Sequence, residues 1–126
     1  MSYPHKNFSA VPLATAALDA GRTPEREVLR AAVRELLTEL ARRVPGRSVE
    51  VRVPPYGAVQ CMTGPRHTRG TPSNVVELDP TTWIMLATGR LEWSAAVEEG
   101  RIRVSGTRAD LSAYLPIRTV TEEPST

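Results

Sequence analysis

"DPTTWIMLATGRLEWSAAVEEGRIRVSGTRADLSAYL", Asp79 to Leu115, is the stretch on which the fold turns. It opens on Asp79-Pro80, a capping side chain followed by a ring that presets φ and lacks an N–H that the first helical turn would leave unbonded anyway. "TTWIMLATG" is the helix body, with Trp83, Leu86 and Ala87 on its buried side and Gly89 placed to end it in a left-handed turn. "WSAAVEEG" reads as a second short helix that stops at Gly100. The apolar period then shortens to two. In "RIRVSG", Ile102 and Val104 point inward and Arg101 and Arg103 outward, the rhythm of a half-buried strand. A last helix is predicted from Thr107, with Asp110 as its capping-box partner, Leu111, Tyr114 and Leu115 apolar, and Pro116 as its stop.

Working back from Asp79, "NVVEL" is a short strand, and "GAVQCMT" another with Val59 and Cys61 on one face and Ala58, Gln60 and Met62 on the other. Between them lies "GPRHTRGTP", residues 64–72, longer than an ordinary hairpin turn. Pro54-Pro55-Tyr56-Gly57 is a rigid connection that ends a preceding strand, in which Val49, Val51 and Val53 alternate with Ser48, Glu50 and Arg52. Before that, Leu29, Val33, Leu36, Leu37 and Leu40 recur at helical spacing. Glu25, Arg34, Glu35, Glu39 and Arg42 are expected on the opposite, wet side, with Thr23 as N-cap, Pro24 at the first position and Pro45-Gly46 as the stop. A short helix is expected within Ser9–Ala20. The predicted organisation is an extension over 1–22, one domain over 23–116 and a polar tail over 117–126. The order is helix, three strands, two helices, strand, helix, hence α+β: a small mixed sheet of four or five strands with helices packed on it.

Composition bounds the function classes. The 126 residues suffice for one self-supporting core, and the single cysteine excludes an internal disulfide and suits a reducing cytoplasm. No long apolar run predicts a membrane span, and "MSYPHKNFSA" lacks the layout of a secretory signal. Sixteen basic and fourteen acidic residues are interspersed, which argues against a nucleic-acid partner. All the basic residues but Lys6 are arginine, in a chain rich in Ala, Val and Pro. This is the mark of GC-rich coding, so arginine by itself says little about phosphate.

Residues 79–115 resemble the C-terminal half of the sterol carrier protein, type two, domain. The family pattern is a helix, then glycine, a basic residue and leucine, eight residues, glycine, and an alternating strand ending in glycine. Here these are Gly89, Arg90, Leu91, Gly100, Arg101 to Ser105, and Gly106. The whole chain is similar to an actinobacterial sterol-carrier-like branch. The resemblance implies an α/β sandwich with an apolar tunnel for fatty acyl chains, phospholipids or sterols. Family members often carry bulky aromatics where Ala96 and Val97 stand, and "EEPST" replaces the peroxisomal tripeptide of better-known members.

Candidate sites follow. Leu36, Leu40, Val59, Cys61, Trp83, Leu86, Leu111 and Leu115 either form an ordinary packed core or line a lipid cavity, two arrangements with nearly the same sequence signature. Arg66, His67, Thr68 and Arg69 either face water on a turn or grip an anionic head group at a cavity mouth. Cys61 with His67 is the one pair from which a thiol enzyme could be built, although no flanking motif supports it. His5, His67 and Cys61 lack metal-ligand spacing, and no cofactor is implied. The leading expectation is non-catalytic binding of a hydrophobic small molecule such as a lipid. An accessory module with a filled core, serving a partner protein, is the second.

Overall fold

A computed structural model describes residues 9–64 and 74–118. Four helices and four strands follow one another as α1 (Val11–Asp19), α2 (Arg26–Arg43), β1 (Val49–Val53), β2 (Gly57–Cys61), β3 (Asn74–Leu78), α3 (Pro80–Ala87), α4 (Trp93–Glu98) and β4 (Ile102–Ser105). The fold is α+β, with a mixed open sheet in the order β2-β1-β3-β4.

The registers explain the two faces of the sheet. β1 pairs antiparallel with β2 and parallel with β3, and β3 pairs antiparallel with β4. Arg52 stands opposite Glu77, and Glu77 opposite Arg103. A ladder of alternating charge thus runs across the uncovered face, where opposite charges on neighbouring strands stabilise the pairing. Val49, Val51, Val53, Cys61, Val76 and Leu78 point the other way into a core shared with α2 and α3. β2 and β3 flank β1, so the connection that includes residues 64–72 joins two strands that are not neighbours.

α2 presents Ala32, Val33, Leu36, Leu37 and Leu40 to that core. Its stripe also contains Glu39, which is only 7% exposed and not on the wet side expected for its charge. The helix starts later than its sequence signals promise. Glu25, with ψ of 152°, is the N-cap residue, and the Thr23-Pro24 pair precedes it, Pro24 itself being buried. Asp79, by contrast, caps α3 as expected: its carboxylate accepts the N–H groups of Thr81 and Thr82 and the Thr82 hydroxyl.

Two expectations near the C-terminus are corrected. Val104 lies opposite Val76 but is 46% exposed, because β4 is an edge strand and the cover ends short of it. The helix predicted from Thr107 is a single 3-10 turn, Ser112–Tyr114. Asp110 accepts the Ser112 N–H two residues on, a local turn bond that competes with helix initiation. The Ile117 side chain is buried, and the Ile117 and Arg118 N–H groups both donate to the Ala87 carbonyl.

Candidate functional site

The end of α3 and the start of α4 form a corner that faces the C-terminal segment. Gly89 turns the chain at φ of 83°, a conformation that favours glycine. Arg90 follows, and its guanidinium grips the Asp19 carboxylate through two bonds of 2.7 and 2.8 Å, fastening α1 to this corner. Leu91 and Trp93 then project beside Leu86. Across from them run Asp110, Ser112, Leu115 and Pro116, and a cleft of about 580 Å³ lies between the two walls. That volume is in the range of small-molecule sites. Leu86, Leu91, Trp93, Leu115 and Pro116 supply its apolar surface, and Glu92, Ser94, Asp110 and Ser112 its polar groups. The Ser112 backbone N–H, with its hydroxyl, holds the Asp110 carboxyl below the usual range, so this group is an anion at neutral pH.

A second, smaller cleft of about 370 Å³ opens at the other end of β3 and β4, between Pro54, Glu77 to Asp79 and Gly100 to Arg103. The Arg101 guanidinium there donates to the Thr82 hydroxyl at 3.1 Å and pairs with Glu99 at 3.5 Å.

The residues singled out from sequence separate into three groups. Leu36, Leu40, Cys61, Trp83 and Leu111 are sealed in the core, with Val59 packed partly buried against it. Trp83 is fixed there by an Nε1–H bond to the Val33 carbonyl at 3.3 Å. Leu86 and Leu115 line the larger cleft. Arg66, His67, Thr68 and Arg69 lie outside the described residues, as does His5. The strand ends that flank that connection are well anchored. Met62 N–H donates to the Val44 carbonyl, and Asn74 Nδ2 donates to the Ser48 carbonyl at 3.0 Å while its Oδ1 accepts the Arg108 N–H. The first anchor sits at the C-terminal end of α2, where Arg43 also donates to the Ile117 carbonyl, and the second at the residue before β1.

Cys61 has no exposed surface, and burial pushes its thiol up to about 11. A neutral, enclosed thiol is a poor nucleophile, so its chemistry is that of a small core residue. Among the described residues no group of three or more His, Cys, Asp and Glu is placed to hold a metal ion, and no helix is long and apolar enough to cross a membrane.

Sequence reasoning missed two sets of residues. Leu91, Glu92, Trp93, Ser94, Asp110 and Ser112 complete the cleft, but they come from a helix corner and a turn that lack a shared period. Glu35, Glu39, Arg43 and Arg118 form a partly buried ion cluster. The four-residue spacing of its three helical members was a visible signal; the fourth member, more than seventy residues away, gave none.

Comparison with curated proteins finds no match. A family model described as bacterial SCP ortholog matches residues 25–117, from the residue that caps α2 to the buried Ile117, and so takes in the whole sheet and both walls of the larger cleft. The chain belongs to the bacterial SCP ortholog family.

Proposed function

We propose that this protein binds a hydrophobic small molecule of lipid-like character in the cleft between the α3–α4 corner and residues 110–116. The observation that carries the reading is the cleft itself: its volume, and a lining in which five apolar side chains stand beside four polar ones. Family membership supports it, since the cleft is built around the Gly89-Arg90-Leu91 turn of the sterol carrier pattern. An internal tunnel between helices and sheet is not needed in this reading, and the side chains there are closely packed.

Trp93 provides the assay. Dodecanol, added below its aggregation threshold, is expected to shift Trp93 emission saturably, with a Trp93→Phe variant supplying the background from Trp83. A Leu115→Asp substitution, which puts a charge on the half-buried apolar wall, is expected to weaken binding at least tenfold while leaving the circular dichroism spectrum unchanged. No saturable shift with wild type, or an undisturbed affinity in Leu115→Asp, would refute the cleft as the site. The closed packing of Leu36, Leu40, Trp83 and Leu111 favours one alternative, an accessory module for a partner protein. A protein that binds no dodecanol but forms a defined complex would establish it.

A further inference from the structure

The polar side chains of the larger cleft are carboxylates, from Glu92 and Asp110, and hydroxyls, from Ser94 and Ser112; among the described residues no lysine, arginine or histidine lines it. Neither carboxylate takes part in an ion pair among the described residues. Two arginines lie two residues from these carboxylates in sequence: Arg90, whose guanidinium is on the Asp19 carboxylate, and the exposed Arg108; neither lines the cleft. The whole chain carries a formal charge of +2, so the negative cleft runs against the sign of the molecule around it. Apolar surface and two carboxylates in one cleft complement a molecule with a hydrocarbon tail and a positive head.

Resting on the cleft reading above, we infer that the preferred ligand is a cationic amphiphile, a long-chain ammonium compound, not a fatty acid or another anionic lipid. Its tail lies against Leu86, Leu91, Trp93 and Leu115, and its ammonium group donates to Glu92, Asp110 and the serine hydroxyls. Charged hydrogen bonds of this kind orient a ligand whose affinity comes from the buried tail. The carboxylates also act negatively, since an anionic head would have to sit beside two like charges.

Three probes of equal chain length separate the head from the tail: dodecylammonium, dodecanol and dodecanoate, each titrated against Trp93 fluorescence at low ionic strength. Dodecylammonium is expected to bind about tenfold more tightly than dodecanoate, with dodecanol between them, a modest ratio because both carboxylates are exposed. Added salt is expected to shrink that ratio. In a Glu92→Gln, Asp110→Asn double variant the ratio is expected to fall to about one; the Asn carbonyl still accepts the Ser112 N–H, so the turn is kept. Equal binding of the three probes by wild type would overturn the charge preference and leave the cleft reading standing. Tighter binding of dodecanoate would also overturn it. A preference that survives in the double variant would show that other groups set it. Failure of all three probes to bind would remove the cleft reading together with this inference.

Discussion

Replacing Arg118 by methionine tests how the C-terminal segment is held. The Arg118 guanidinium donates to Glu35 Oε2 at 2.9 Å, to Ser9 Oγ at 3.1 Å and, through Nε at 3.1 Å and through Nη2, to Glu39 Oε1. One side chain thereby joins the residues before α1, the buried side of α2 and the end of the described chain. Burial works against its charge, and its hydrogen bonds to Glu35 and Glu39 outweigh that effect and hold its pKa above the ordinary arginine value. Methionine keeps the apolar stem but gives up every donor. Hydrogen bonds to charged partners contribute roughly 1.5–3 kcal/mol each when buried. The group is 30% exposed, so solvent screens part of this. Glu39 keeps Arg43 at 2.6 Å, and Glu35 keeps Ser9 and the Ala10 N–H. The net loss expected is about 2 kcal/mol, a fall in Tm of roughly 6–10 °C for a domain of this size. Urea unfolding followed by Trp83 fluorescence measures it, and an unchanged slope would confirm that only stability moved. Arg118→Lys is expected to recover less than half, because an ammonium cannot serve two carboxylates and a hydroxyl in fixed directions. A loss below about 0.5 kcal/mol, or full recovery with lysine, would refute the reasoning.

The Cys61 thiol is raised by burial from 9.0 to about 11, so its contribution to stability is complete below pH 9 and is lost as the pH rises through 11. Wild type is expected to lose about 2–3 kcal/mol across that window and Cys61→Ala to lack this component, as urea midpoints at pH 8 and pH 11 would show. Gly106 has φ of 91°, and a Cβ there would come within 2.8 Å of the Asn74 Cα. Gly106→Ala is expected to cost about 3 kcal/mol by chemical denaturation, from the strained backbone together with displacement of Asn74.

What could be read from sequence depended on whether the signal was local. Asp79-Pro80 announced α3 correctly because a cap, a proline and the apolar positions after it all lie within one helix. Thr23-Pro24 carries a similar signal, yet α2 begins at Arg26, since the buried Pro24 is held by packing that the local pattern does not encode. β1, β2 and β3 were legible from alternation; their order was not, because nothing in "GPRHTRGTP" says that the strands on either side of it are separated by β1. Val104 has the right period for an inward residue but sits on an edge, and edge position is a property of the assembled sheet. Glu39 was placed outward by the ordinary cost of burying a carboxylate, which two arginines remove. Of the residues lining the cleft, Leu86 and Leu115 were among the apolar candidates, while Glu92 and Asp110 were not candidates, because an exposed carboxylate looks the same beside a cleft as anywhere else on a surface.

The positions by which the family is recognised and those that face the cleft divide the work. Gly89 makes the turn, Arg90 fastens α1 to it, and Gly106 lets the chain pass Asn74. Each does a job that any protein of this shape requires, whatever it binds. On the proposed reading the ligand's head meets Glu92, Ser94, Asp110 and Ser112, none of which takes part in a strand pairing. Head-group preference can therefore change within this frame at little cost to folding. Two of the pattern's residues, Gly89 and Leu91, line the cleft, and Glu92 and Asp110 bring its two carboxylates.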